Sequence, residues 1–396
     1  MRKKPLAGAA VAIGGALALS FAGAPAHAQE SAASGSTVAH QCARPDKPGE
    51  MACLALKRLH VTQPNKIGRH ADPSGLGPAD LQAAYNLPKD GGEGATVAII
   101  DAYDDPNAEA DLKAYRDQYG LGAADFQKVN QNGEASPLPT ADSGWAGEIS
   151  LDLDMVSAVA PKAKILLVEA DQPSMDDLGT AVNTAVKMGA KYISNSYGGS
   201  EDASDTQADD KYFKHPGVAI TVSSGDSGYG AEYPAASQYV TSVGGTSLTK
   251  DSSDRGWSEK AWDGAGSGES AYDAKPEWQT DATGTSKRGI ADVAAVADPA
   301  TGVAVYDSYQ EAGWVVYGGT SASSPIIAGV YADAGTPGDQ DMPASYPWKA
   351  TTGLNDVTSG SNGSCDIKQL CNAGDGWDGP TGLGTPNGTD AFKPAG

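Results

Sequence analysis

Thr96-Val97-Ala98-Ile99-Ile100-Asp101 is an apolar run closed by a carboxylate, and Lys164–Ala170, Tyr192–Ser196 and Val218–Gly225 repeat the pattern downstream. Each is short, largely apolar and bounded by turn formers, which predicts strands buried on both faces. Helical patterns lie between them, at Asn107–Tyr119, Gly147–Ala160, Met175–Met188 and Asp205–His215. Strand alternating with helix predicts an α/β fold, a mostly parallel central sheet with helices on both faces and right-handed crossovers. Ligand sites in such sheets form beyond the carboxyl ends of the strands. Asp101 and Asp226 stand there, each where a predicted strand runs out.

The helix pattern from Gly147 carries two carboxylates on the wrong side. At about 100° per residue, Leu151, Met155, Val156, Ala158 and Val159 gather on one face, with Glu148 and Asp152 in its middle. Ser150, Asp154 and Ser157 are expected to face solvent. Two like charges one turn apart disfavour the helix slightly. Burying them adds a desolvation cost that raises at least one pKa, which suits general acid–base work. A first turn frayed outward, with Glu148 at the positive helix end, is the reading without chemistry.

Tyr317-Gly318-Gly319-Thr320-Ser321-Ala322-Ser323-Ser324-Pro325 forms the second constellation. The glycines permit a tight turn, Thr320 or a serine can cap, and Pro325 is expected in the first helical turn. Ser321 would then meet the backbone N–H groups of a helix start, which favour developing negative charge; plain capping serines are the alternative. Ser323 replaces the closing glycine of a G-x-S-x-G elbow. Of the histidines beyond His27, His40, His60 and His70 fall outside the predicted sheet core and His215 at a helix end. That points to a carboxylate as the base for the serine.

Here the chain resembles a known family. Gly319–Pro325 looks like the serine motif shared by subtilisins and sedolisins. Glu148 and Asp152 are similar to the sedolisin Glu-x-x-x-Asp pair, and Ser223-Ser224-Gly225-Asp226-Ser227-Gly228 resembles the loop whose aspartic acid helps form the oxyanion hole. Tyr233–Ser237, Val243–Thr246, Ala291–Val293 and Asp298-Pro299 are also family-like, so the likeness spans roughly residues 74–396. The resemblance implies a subtilisin-like three-layer sandwich and a secreted serine-carboxyl endopeptidase acting at acidic pH on protein or peptide substrates. By it, Ser321 is the nucleophile, Glu148 takes its proton, Asp152 orients Glu148 and shares that proton, and Asp226 stays protonated to stabilise the oxyanion. Asp101 sits where relatives can extend the carboxylate network, although a strand-end turn would also explain it. The resemblance further implies calcium, held by the side chains of Asp356 and Asp378 and the carbonyls of Val357, Gly374 and Gly376. Hard oxygen ligands suit that ion; an ordinary Gly/Asp turn is the alternative. Tyr197 stands where some relatives place Trp.

The chain ends and composition set the context. Arg2, Lys3 and Lys4, the apolar run from Leu6 to Ala22, and Ala26-His27-Ala28 read as an export signal over residues 1–28. Its removal moves the formal net charge from −22 to −25, which disfavours a nucleic-acid partner. No later apolar stretch suggests a membrane span, and a secreted, extracellular monomer is expected. In an oxidising compartment the cysteines are expected to pair locally, Cys42 with Cys53 and Cys365 with Cys371. Residues 29–73 read as an irregular short leader or N-terminal arm, and 74–396 as the peptidase-like domain; relatives usually carry a long pro-domain instead. Asn362 and Asn387 match glycan acceptor patterns. Two other functions remain open: a tripeptidyl-type exopeptidase, and a non-catalytic secreted binding scaffold on the same fold.

Overall fold

The computed structural model describes residues 1, 37–45, 47–64, 73–279 and 283–394. The export signal therefore lies outside the described residues beyond Met1, as does His70. Residues 37–396 cluster as one compact unit.

Its centre is a sheet built from β1 (Thr96–Ala102), β2 (Asp125–Asn130), β3 (Lys164–Ala170), β4 (Tyr192–Asn195), β5 (Ala219–Ser223), β6 (Thr241–Lys250), β7 (Trp257–Ala261) and β8 (Val293–Val296). The order is β7-β6-β5-β4-β1-β3-β2, with β8 also on β6. Only the β6–β7 pair is antiparallel within it. Alternation along each strand divides the interior into two cores. Val97, Ile99, Ile165 and Leu167 face one apolar cluster, while Ala98, Ile100, Leu166 and Val168 face the other. Helices α1 (Ala108–Tyr119), α2 (Ser143–Val159) and α4 (Thr320–Ala334) fill the first, and α3 (Met175–Lys187) covers the second. This is the expected three-layer arrangement.

Several expectations change at the element ends. Helix α2 begins before Gly147 because the Asp142 carboxylate caps it, accepting from the N–H groups of Gly144 (2.9 Å) and Trp145 (3.1 Å). Its supposed solvent face is buried, with Ser150, Asp154 and Ser157 no more than 3% exposed. The helix lies inside the molecule, so each polar group needs a partner. Asp154 accepts the Tyr306 N–H at 2.9 Å, and Arg116 donates to Ser157 at 3.0 Å. The Asp205–His215 helix is short, giving way to a π-turn at Asp209–Phe213, where buried Asp209 accepts the Tyr233 hydroxyl at 3.0 Å.

Pro325 lies in the second turn of α4, not the first. It cannot donate to the Ser321 carbonyl as an ordinary helical residue would. The Ser196 hydroxyl reaches that carbonyl at 3.4 Å. Asn362 is no glycan acceptor in this fold: it is 4% exposed, and its amide donates to the Ala265 carbonyl and the Ser267 hydroxyl.

The segment expected to be irregular contains three short strands, Val38–His40, Ala52–Cys53 and Leu56–Arg58. They form because other strands offer them edges. Leu56–Arg58 pairs with both Val38–His40 and Gly313–Gly318, and Ala52–Cys53 pairs with Tyr197–Ser200. Two disulfides are present, Cys42–Cys53 and Cys365–Cys371.

Candidate active site

Two helices bring the serine and the carboxylates together beneath the carboxyl ends of β1 and β4. Helix α4 starts at Thr320, so Ser321 lies in its first turn, where backbone N–H groups lack helical partners. The turn before it is tight. Gly319 has φ 90°, and a Cβ there would stand 2.0 Å from the Leu54 carbonyl oxygen and 2.5 Å from Asp226 Oδ2.

Ser321 Oγ donates to Glu148 Oε2 at 2.8 Å. The same carboxylate oxygen accepts the Ala55 N–H, also at 2.8 Å. Asp152, one turn along α2, accepts the Ser196 hydroxyl at 2.8 Å on Oδ1. Glu148 Oε1 and Asp152 Oδ2 have no other partner, and the two carboxyls are close enough to share a proton. Burial holds both well above the usual carboxylate range. The neighbouring charge of Asp152 raises Glu148 further, and that of Asp101 raises Asp152.

Asp101 ends close to this pair. It is wholly buried with neither oxygen hydrogen-bonded, and burial followed by the Glu148 and Glu169 charges raises its pKa. Asp226 occupies the opposite side. Its Oδ1 accepts the Thr320 N–H (2.7 Å) and hydroxyl (2.8 Å), leaving Oδ2 without a partner beside Gly319. Burial pushes it up to about 8, against the pull of those two donors. The His215 ring is engaged elsewhere, 2.9 Å from the Asn183 side chain.

Such an arrangement can move one proton from a hydroxyl to a carboxylate and hold another on a facing acid. Ser196 was not singled out in the sequence, yet it ties Asp152 to the Ser321 carbonyl. Its place between strand β4 and the Gly198-Gly199 pair was the available signal. Ala55 carried no signal at all. Tyr197 is fully buried, and its hydroxyl donates to Asn195 at 2.8 Å.

The raised carboxyls have a thermodynamic consequence. Burial holds Asp226 and Glu169 at about 8 and Asp105 at about 7, above their ordinary values of 3.8 and 4.5. Between about pH 4 and 8 the native chain therefore binds more protons than the unfolded one, and stability falls as pH rises. For two net protons over part of that window, the melting temperature should drop by about 10 °C or more. Scanning calorimetry of the Ser321→Ala chain, which removes self-digestion, checks this; a Tm that rises from pH 4 to 8 would contradict it.

Comparison with known proteins places these features. Residues 122–344 match the Subtilase family. Kumamolisin of Bacillus sp. (strain MN-32) is 33% identical over 359 residues, covering 80% of this chain and 63% of that protein. Tripeptidyl-peptidase 1 of Bos taurus is 27% identical over 381 residues, covering 82% of this chain and 64% of that protein. The chain thus spans less than two thirds of either relative. A solved structure of Pseudomonas sedolisin, a serine-carboxyl proteinase complexed with pseudo-iodotyrostatin, matches with a TM-score of 0.69 at 29% identity. That match covers 79% of this chain and 95% of the other.

Proposed function

Because the chain belongs to the sedolisin family of subtilisin-like proteins, we propose that it is a secreted serine-carboxyl endopeptidase, most active on the acid side of neutrality. One observation carries the reading: Glu148 Oε2 lies 2.8 Å from both the Ser321 hydroxyl and a peptide nitrogen, that of Ala55. A base that takes the serine proton and returns it to a leaving nitrogen must reach both. Ser321 Oγ attacks the scissile carbonyl as its proton passes to Glu148. Asp152 shares that proton and, with Ser196, fixes the carboxyl's orientation. The protonated Asp226 and the Ser321 N–H stabilise the oxyanion, each such donor lowering the barrier by about 3 kcal/mol. Asp101 keeps the pair in a proton-rich, low-dielectric surround.

Support for internal cleavage comes from residues 51–58, which run unbroken past Glu148 with backbone pairing on both sides of Ala55. A cleft that admits chain in both directions suits an endopeptidase, whereas a tripeptidyl exopeptidase needs one end closed. Secretion accords with the two disulfides, and among the described residues no helix is long and apolar enough to cross a membrane. Prolonged digestion of an unfolded protein at about pH 4 separates the readings. Internal fragments of varied length support the endopeptidase, and tripeptides alone the exopeptidase. No turnover from about pH 2 to 7 leaves the binding scaffold.

Calcium belongs to the same proposal. Among the described residues no group of three or more His, Cys, Asp or Glu side chains could hold a metal, so a site would rest on two carboxylates and main-chain oxygens. The donor set fits. The Gly376 N–H donates to Asp356 Oδ2 (2.9 Å) and the Gly374 N–H to Asp378 Oδ2 (3.1 Å), so both acids converge on one Gly-rich loop. Asp356 and Asp378 side chains with Val357, Gly374 and Gly376 carbonyls would hold the ion, whose role would be structural. At about 100-fold excess over Kd, calcium should add about 2.7 kcal/mol. The melting temperature in calcium should exceed that in chelator, and Asp378→Asn should erase the difference; equal values in the parent chain would dismiss the site.

A further inference from the structure

Glu169 takes no part in the chemistry above, yet it is 0% exposed on a central strand. Alternation puts it on the same face of β3 as Ile165 and Leu167, beneath α2. The parallel register sets it beside Asp101 of β1, which shares the face of Val97 and Ile99. Both Asp101 oxygens and Glu169 Oε2 lack a hydrogen-bond partner. Asp101 in turn meets the charges of Asp152 and Glu148 on α2. Glu148, Asp152, Asp101 and Glu169 thus form one buried carboxyl row leading away from Ser321.

The row ends on a cation. Lys128 of β2 is in register with Leu167, on the same face, and its Nζ lies 3.5 Å from Glu169 Oε1. The ammonium also donates to Asp104 Oδ1 and, at 2.8 Å, to the Asp105 carbonyl. The Asp105 N–H donates to Glu169 Oε1 at 3.2 Å, while its carboxyl faces Ser150, Asp111 and Asp307. A surface pair of Lys128 with Asp104 would need none of this. A glutamate wholly removed from water carries a desolvation cost that folding does not require.

The consequence is electrostatic. Burial and mutual repulsion both disfavour charge on the row, but a base must be ionised to accept the serine proton. Lys128 stands two strand spacings from Asp101, about 10 Å. At an effective dielectric of about 20, a unit charge at that distance moves a carboxyl pKa by about one unit. Glu169 does not cancel that charge in acid, because burial holds it at about 8 and so keeps it neutral there.

We propose that Lys128 is a remote positioning residue of the catalytic pair: its charge, acting along the row of Glu169, Asp101 and Asp152, lets Glu148 ionise in acid and sets the lower pH limit of the enzyme. This rests on the serine-carboxyl reading above and adds to it a group outside the cleft.

The test is the acid limb of kcat/KM, measured on the full chain with a fluorogenic peptide from about pH 2 to 7. Lys128→Met should move that limb up by about half a pH unit or more, whatever the plateau rate. Lys128→Arg keeps the charge and should hold the limb at the parent pH. Glu169→Gln separates charge from bonding: it removes the ion-pair partner but matches a neutral glutamic acid in shape, so its acid limb should also stay. Lys128→Gln serves if thermal melts show that Lys128→Met fails to fold. A parental limb in the folded neutral variant overturns this inference and leaves the peptidase standing. An equal upward shift in Lys128→Arg or Glu169→Gln overturns it too, because lost packing rather than lost charge would then move the limb. No turnover by the parent chain removes the peptidase reading itself, and this inference with it.

Discussion

Glu148→Gln and Ser321→Ala should each abolish peptide hydrolysis, lowering kcat/KM by at least about 10⁴-fold, as expected for members of a unit that fails together. Gln keeps the shape of Glu148 and can still accept the Ser321 hydroxyl (2.8 Å in the parent) and the Ala55 N–H, but it cannot take a proton. Stability should move the other way. Burial holds Glu148 well above its ordinary pKa and Asp152 adds like charge, so the fold already prefers a neutral group there. Glu148→Gln should therefore melt at or above the parent temperature at pH 7 while losing its chemistry. Single-turnover rates with thermal melts read both effects. Substantial turnover in Glu148→Gln would mean that another group is the base, and a large loss of Tm would mean that the carboxylate serves the fold. Asp152→Asn should cost less, because it disturbs the orientation and proton sharing of Glu148 without removing it.

How much of this was legible in the sequence depended on whether the signal was local. Lys164–Ala170 was bounded correctly because a strand buried on both faces is an unbroken apolar run between turn formers. Glu148 and Asp152 stood out because carboxylates on an apolar helix face have no structural reason to be there. Asp154 was misread for the complementary reason. A helix buried all round has no polar face, and its partners, Tyr306 and nearby Arg116, come from distant elements. The three short strands before residue 59 were the largest omission. Ala52–Cys53 is too short to show alternation, and its pairing edge, Tyr197–Ser200, lies far along the chain. Edge pairing of that kind is a property of the assembled sheet and leaves little trace in either segment alone.

Asp226→Ala should slow hydrolysis by about 10²–10³-fold wherever the parent's Asp226 is protonated, the cost of one oxyanion donor. Asp226→Asn should behave differently, because an amide donates at every pH whereas a carboxyl donates only when protonated. Burial sets Asp226 at about 8 despite its two bonds from Thr320, so the parent should lose rate as pH climbs through that value. In Asp226→Asn this alkaline decline should move to whatever pH strips the last shared proton from Glu148 and Asp152. The acid limb belongs to that pair in both enzymes, since one of its members must ionise to accept the serine proton. Full pH profiles of kcat/KM for parent, Asn and Ala variants make the comparison. An Ala variant at parental rate would deny Asp226 any part in the oxyanion, and an Asn profile identical to the parent's would assign the alkaline limb elsewhere. The assignment rests on geometry before titration. Oδ2 is the one Asp226 oxygen without a partner, and it sits against Gly319, at the turn that delivers Ser321. A protonated acid has no better acceptor there than the carbonyl of a peptide laid across the site.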